Sequence, residues 1–241
     1  MAEPGSGGAS LNVATPRGTS LSWDDYSASW AALHVGVDPR RASVYVRTWL
    51  RLAFVVGQGL SALRVRPGTV TAAGLALSAV VPVAVAFRGP WIFAAAGLAF
   101  LSALADSTDG AVALITSRTS QRGSYYDSMA DRLSEALWLL ALWLLGAPGV
   151  LVVACGALAW LHEYARARAA VSGMTGIGEI TVAERPTRVI LVVVALSLGG
   201  LAEQADPKLT AGAVTVAVAV WTILGLLGAS RLHAAIRSCL T

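Results

Sequence analysis

Long apolar runs separated by short polar breaks fill the chain from residue 67 onward. Each run is close to the roughly 20 residues that an α-helix needs to cross the hydrocarbon core of a bilayer. The breaks are rich in Arg, Gly and Pro, which end helices or favour the membrane surface. We therefore predict six membrane-spanning helices, at about residues 69–87, 91–115, 125–145, 149–170, 187–203 and 209–230.

Two other kinds of segment precede these runs. The first 20 residues are rich in Gly, Ser and Pro and contain no apolar run, as is typical of a flexible tail. Residues 41–66 instead combine Arg with apolar residues at helical spacing, which predicts an amphipathic helix on the bilayer surface, a first span being the alternative. The sequence thus predicts an all-α integral membrane protein with three parts: a flexible cytoplasmic segment (1–40), a juxtamembrane helix (41–66) and a six-helix transmembrane domain (67–241).

The composition agrees with this prediction. Hydrophobic residues make up 56% of the chain and charged residues only 13%, against roughly 25% charged in soluble domains. The basic residues flank apolar segments and do not form one stripe, so we do not expect nucleic acid binding. Anionic membrane lipids or a phosphorylated substrate are better partners for them.

The basic residues also predict the orientation. An even number of spans places both termini on one side. Of the 18 Lys and Arg residues, only Arg88 and Lys208 fall on the opposite side, and Arg132 lies just inside the third span. By the positive-inside rule, both termini and the loops 116–123 and 171–186 are cytoplasmic, in a plasma-membrane protein.

Four aspartates lie within the predicted spans, where charge is costly and usually functional. Asp106 and Asp109 are late in the second span, and Asp127 and Asp131 are early in the third. The short loop between these spans makes them antiparallel neighbours, so all four acids fall at a similar depth. Such a group needs cations, and oxygen ligands suit Mg²⁺ or Mn²⁺. Two such ions would clamp a diphosphate.

Two glycines, Gly110 and Gly123, border these acids. The missing side chain lets a ligand approach the backbone closely. Close packing of membrane helices is the alternative explanation for either glycine. Beside four carboxylates we favour ligand approach.

Residues 106–131 read DSTDGAVALITSRTSQRGSYYDSMAD and resemble the CDP-alcohol phosphotransferase signature, D-x2-D-G-x2-A-R-x8-G-x3-D-x3-D. The departure is Leu114, where the family has Arg. Arg118, one helical turn further on, is a hypothetical substitute. The matching positions are Asp106, Asp109, Gly110, Ala113, Gly123, Asp127 and Asp131.

The resemblance implies a reaction as well as a fold. In this family an acceptor hydroxyl attacks the β-phosphorus of a CDP-linked lipid such as CDP-diacylglycerol, and CMP leaves. The family has six spans and an amphipathic N-terminal helix and is usually homodimeric. The carried-over roles are Asp106, Asp109 and Asp127 as core ligands of two Mg²⁺ or Mn²⁺ ions, and Asp131 as general base that also contacts a metal.

A second stretch, Arg66 to Thr71, resembles the family's P-x-x-x-T segment near the cytidine site. Gly68 stands where Asn or Asp is usual. Considered alone, Pro67 predicts a helix N-terminus with Thr71 in its first turn. The residues that the resemblance assigns to the CDP-lipid are Pro67, Thr71, Gly110, Ala113, Gly123 and Arg118.

Three later stretches, around Arg166, Arg188 and Arg231, resemble the actinobacterial phosphatidylinositol-phosphate synthases of the same family. In that branch a basic residue from each stretch binds the phosphate of inositol phosphate, and three cations suit a doubly charged phosphate. The alternative is that these arginines reflect positive-inside topology alone. Glycerol 3-phosphate would suit the same pocket.

The leading prediction is therefore transfer of a phosphatidyl group from CDP-diacylglycerol to a phosphorylated polyol, with inositol phosphate favoured. Other functions stay open: a phosphatidylglycerophosphate synthase, a catalytically altered family member, or an enzyme with a CDP-polyol donor. A cation channel or transporter predicts acids near the middle of the bilayer and a polar path to both faces. The acids here crowd toward one face instead.

Overall fold

The computed structural model describes residues 21–33, 38–174 and 185–239. These residues form helices joined by short turns, and no strand occurs among them. The predicted tail, residues 1–20, and most of the 171–186 loop lie outside the described residues. The helices are α1 (Trp23–Leu33), α2 (Val44–Ala62), α3 (Pro67–Ala86), α4 (Trp91–Ile115), α5 (Gln121–Leu144), α6 (Gly149–Val171), α7 (Arg185–Ala205) and α8 (Pro207–Cys239).

Helices α3 to α8 coincide with the six predicted spans. Five of them (α3, α4, α6, α7 and α8) are long and apolar enough to cross a membrane. Helix α5 is not in that group, because its first half carries the charged residues of the sequence motif. Its second half is apolar, and Trp138 and Leu142 are fully buried in the core. The all-α membrane fold is confirmed, and the count of six spans stays a prediction.

Local signals explain where these helices begin and end. Pro67 starts α3, as the sequence predicts. Helix α5 begins at Gln121, four residues before its predicted start, because the Ser120 hydroxyl accepts a hydrogen bond from Gly123 N at 3.0 Å. Helix α4 ends at Ile115, and the chain turns at Ser117, which has a left-handed φ of 53°.

The bundle is organised around α4, which packs against α2, α3 and α7. Helix α3 also packs on α5, and α8 on α6 and α7. Small residues allow the closest approaches: a Cβ on Gly200 of α7 would lie 2.9 Å from the Phe93 ring of α4. Because α7 lies against α4, the start of α7 is held near the end of α4.

The two N-terminal helices lie against the bundle. Helix α2, the predicted surface helix, is not among the five candidate spans. Residues 23–33 fall within the segment predicted to be flexible, yet they form α1. The physical reason is an aromatic contact, with the Tyr26 and Phe54 rings 4.9 Å apart and the Trp23 ring 5.6 Å from each. Leu114 and Ile115 of α4 pack against the same apolar group.

Candidate metal centre and active site

Three carboxylates converge where the end of α4 meets the start of α5. Asp106, Asp127 and Asp131 each present an oxygen, and the three oxygens lie within 4.8 Å of one another. We call this group the acidic cluster. Its members come from two antiparallel helices, as the sequence predicts. Each side chain is only partly exposed, so the charges are close together with little water to screen them.

The fourth predicted acid, Asp109, is not part of this close group. It is buried, with 6% of its surface exposed, and its Oδ2 accepts a hydrogen bond from the Thr71 hydroxyl at 2.5 Å. The same hydroxyl oxygen lies 3.3 Å from the Pro67 carbonyl oxygen, so its one proton is shared between the two acceptors and lies mainly toward Asp109. The structure thus joins the P-x-x-x-T stretch of α3 to the signature on α4. The role of Asp109 as a metal ligand stays a prediction.

The donor set of the acidic cluster fits a divalent cation. All its ligand atoms are carboxylate oxygens, which Mg²⁺ and Mn²⁺ prefer. One of them, Asp127 Oδ1, is buried and accepts no hydrogen bond from the residues that the structure describes. A buried carboxylate oxygen without a donor is costly unless a cation compensates it. Asp106, Asp127 and Asp131 are therefore the residues that would hold a metal.

Arg185, at the start of α7, reaches into the acidic cluster. Its Nη2 lies 2.9 Å from Asp106 Oδ1, and its Nη1 forms an ion pair with Asp131. The guanidinium also lies 5.9 Å from the centre of the Trp138 ring. No local pattern in the sequence points to Arg185, because it is more than 50 residues from Asp131. The packing of α7 on α4 brings the two together.

A second charged group lies beside the acidic cluster and includes Arg188. Arg188 is 1% exposed; its Nη1 donates to both Glu135 oxygens at 3.1 and 3.2 Å, and its Nη2 to Glu163 Oε1 at 3.2 Å. Arg132 pairs with Glu135 at 3.0 Å and with Glu163 at 3.6 Å. We call these four residues the ion-pair network. It joins α5, α6 and α7, and its two positive charges are balanced by two negative ones.

The three arginines predicted to bind the acceptor phosphate therefore differ in environment. Arg188 is buried and compensated, whereas Arg166 is half-buried on α6 and Arg231 is exposed on α8. Helix direction alternates along the bundle, so all three lie at the same end of it as the acidic cluster. Glu135 and Glu163 neutralise Arg188, and the binding of an acceptor phosphate by the three arginines stays a prediction.

The two glycines of the motif are exposed on their helices. A Cβ on Gly110 would meet no atom of the described residues within 4 Å. A Cβ on Gly123 would lie 3.1 Å from the Ser120 hydroxyl, the cap of its own helix. Among the described residues neither glycine contacts a neighbouring helix closely, so helix packing does not explain them. Ala113 is half-buried near the end of α4.

Arg118 does not lie where the sequence analysis placed it. The expectation that it continues α4 by one turn is wrong, because α4 ends at Ile115 and the backbone reverses at Ser117. Arg118 is exposed in the loop, and its N–H donates to the Ala113 carbonyl at 2.8 Å. Leu114, the departure from the signature, is half-buried against the group of Tyr26 and Phe54. A CDP-lipid contact by Arg118 stays a prediction.

Comparison with known proteins agrees with the motif. The family model of CDP-alcohol phosphatidyltransferases matches residues 64–226. The chain is 29% identical to a phosphatidylinositol phosphate synthase of Cutibacterium acnes over 199 residues, 79% of this chain and 95% of that protein. It is 33% identical to an archaetidylinositol phosphate synthase of Aeropyrum pernix over 193 residues, 77% of this chain and 93% of that protein.

Solved structures share the fold. Mycobacterium tuberculosis phosphatidylinositol phosphate synthase with CDP-DAG bound gives a TM-score of 0.60 at 22% identity, covering 77% of this chain and 94% of that one. The same enzyme in complex with manganese and citrate gives 0.63, also at 22% identity, covering 77% and 89%. With its signature and a family-model match over most of its length, the chain belongs to the CDP-alcohol phosphatidyltransferase family.

Proposed function

We propose that the chain is a membrane-bound transferase that moves a phosphatidyl group from CDP-diacylglycerol to inositol phosphate and releases CMP. The observation that carries the proposal is the acidic cluster, held by two helices at one end of an apolar bundle. Carboxylates at that position can bind a metal–diphosphate headgroup while the lipid tails stay in the bilayer. We further expect a homodimer whose termini and active site face the cytoplasm.

The residues take the following roles in this proposal. Asp106, Asp127 and Asp131 hold Mg²⁺ or Mn²⁺, with Asp109 as a further ligand fixed by Thr71. When bound, two such ions would neutralise the diphosphate and stabilise the oxygen that leaves with CMP. The open backbone at Gly110 leaves room for the headgroup.

Asp131 is the proposed general base. The acceptor hydroxyl forms a bond to the β-phosphorus, the bond from that phosphorus to the CMP oxygen breaks, and the hydroxyl proton passes to an Asp131 oxygen. CMP leaves as an anion, so no other reactant is needed. An ordinary carboxylate can take this proton only as the hydroxyl attacks, which makes transfer concerted with bond formation.

The relatives support inositol phosphate as the acceptor. The bacterial and the archaeal relatives differ in the lipid part of their names, phosphatidyl against archaetidyl, but agree on inositol phosphate. Arg166, Arg188 and Arg231 lie at the correct end of the bundle to meet the acceptor phosphate. Since Glu135 and Glu163 already compensate Arg188, we expect the charge of Arg188 to contribute little to phosphate binding.

The test uses membranes from cells that overexpress the protein. CDP-diacylglycerol and Mg²⁺ or Mn²⁺ are supplied with inositol phosphate or glycerol 3-phosphate, and CMP release and the lipid product are followed. We expect metal-dependent product with inositol phosphate, lost in Asp131→Asn and kept in Asp206→Asn, a change of an exposed acid in the α7–α8 turn. Product only with glycerol 3-phosphate would replace the acceptor. No CMP release with either would contradict the proposal.

A further inference from the structure

We propose that Arg185 is a tethered counter-cation that competes with the divalent ion for the acidic cluster, and so sets how tightly the protein binds its metal. This inference rests on the proposed function, because it assigns the metal to Asp106, Asp127 and Asp131. It adds a positioning residue from α7 to a site built by α4 and α5.

The contacts of Arg185 are with two of the acids that would hold the metal. Its guanidinium bridges Asp106 Oδ1 and an oxygen of Asp131, two of the three acids of the cluster. A guanidinium presents a planar fork of N–H donors, which directs two of them at two acceptors at once. Oxygens engaged in this way have fewer lone pairs to offer an ion. Metal binding must therefore loosen at least one of these pairs.

The charge balance leads to the same conclusion. Arg185 compensates one of the three negative charges, which leaves the cluster attractive to a divalent ion but less so than three free acids. Arg132 is the other cation nearby, 3.8 Å from Asp131 Oδ2, but its shorter contact is with Glu135 at 3.0 Å. Arg185 is thus the cation most directly committed to the cluster among the described residues.

The surroundings allow Arg185 to move without a rearrangement of α7. Arg188, three residues later, is held by Glu135 and Glu163 and fixes this part of α7 to α5 and α6. The Arg185 guanidinium has a second neighbour in the Trp138 ring, 5.9 Å away, which can retain it through a cation–π contact. Release from the acids is therefore a side-chain movement beside an anchored backbone.

The experiment measures Mn²⁺ binding directly, by the loss of the free-ion EPR signal, on metal-stripped full-length protein in detergent. The variants are Arg185→Gln, Arg185→Lys and, as a matched control that removes an exposed arginine, Arg237→Gln. We expect Arg185→Gln to bind Mn²⁺ at least tenfold more tightly than wild type, which corresponds to about 1.4 kcal/mol. Arg185→Lys keeps the charge but loses the fork and should fall between the two. Arg237→Gln should match wild type.

A second measurement covers the case in which Arg185→Gln is too unstable to titrate. Without metal, both Arg185 variants should melt at a lower temperature than wild type, and saturating Mn²⁺ should raise their melting temperature more than it raises that of wild type. Equal or weaker Mn²⁺ binding by both Arg185 variants would overturn the inference. If the Arg185 inference is overturned in this way while wild type binds Mn²⁺ and Asp131→Asn does not, the proposed metal site still stands. If neither wild type nor any variant binds Mn²⁺, the Arg185 inference and the proposed metal site both fail.

Discussion

The ion-pair network makes a strong prediction about Arg188. The change is Arg188→Gln, which removes the charge that Glu135 and Glu163 share. Both pairs are short, at 3.1 to 3.2 Å, and Arg188 and Glu135 are each 1% exposed. Removing one partner of a buried pair leaves the other charge uncompensated and typically costs about 3–5 kcal/mol. The loss of stability should therefore dominate any effect on substrate binding.

This loss of stability corresponds to a lower melting temperature. In a chain of 150–250 residues, 1 kcal/mol shifts the midpoint by about 2–4 °C. Arg188→Gln should therefore melt roughly 6–20 °C below wild type when unfolding of the purified protein is followed by tryptophan fluorescence. Glu135→Gln should behave similarly. The double variant should be less destabilised than the sum of the two single changes, because neither charge is then left alone.

The matched control is Arg88→Gln. Arg88 pairs with Glu203 at 3.5 Å, but its side chain is 49% exposed. Exposed pairs contribute about 0–1 kcal/mol, so this variant should melt within about 4 °C of wild type. Our reasoning is refuted if Arg188→Gln melts like Arg88→Gln and only its acceptor KM rises. Such a result would mean that Arg188 acts mainly as a phosphate ligand and that its pairs with the two glutamates contribute little to stability.

Three further predictions concern other contacts. Leu114→Arg restores the residue of the family signature but places a charge against Tyr26 and Phe54. We therefore expect faster proteolysis within α1 and a free energy of unfolding about 1–3 kcal/mol lower. Unchanged cleavage would show that Leu114 does not hold α1 against the bundle. Thr71→Val removes the hydroxyl that donates to Asp109 Oδ2 and should reduce kcat/KM for CDP-diacylglycerol about 10-fold or more, with Thr71→Ser restoring it. Equal activity of the Val and Ser variants would exclude this role. Gly200→Ala forces a Cβ to 2.9 Å from the Phe93 ring and should lower stability by about 1–3 kcal/mol, which a melting curve indistinguishable from wild type would contradict.

The membrane helices were predictable because their signal is local. A run of about 20 apolar residues must be a helix in a bilayer, whatever its neighbours are. The convergence of Asp106 with Asp127 and Asp131 was also predictable, since a short loop joins the two helices and helical spacing places each pair on one face. The Arg132–Glu135 pair follows from the same spacing.

The structure differs from the sequence prediction at two places where local sequence preferences do not decide the outcome. Helical periodicity alone predicts a turn of α4 from Leu114 to Arg118, but α4 ends at Ile115 and Ser117 has a left-handed φ. The sequence of α1 is short and of mixed polarity, so by itself it predicts a flexible segment. Its order comes from Phe54 on α2 and Leu114 on α4, which no local pattern reveals.

The sequence by itself determined that this protein is a helical membrane protein and which acids form its acidic cluster. Those properties depend on hydrophobicity, helical periodicity and one short loop, all of which are encoded within neighbouring residues. Tertiary structure alone decided the partners of the basic residues. Arg185 meets Asp106 and Asp131, and Arg188 meets Glu135 and Glu163, because α7 packs beside α4 and α5. Charges separated by 25 residues or more find one another only when helix packing fixes their distance, and Coulomb energy in a weakly screened interior depends on that distance.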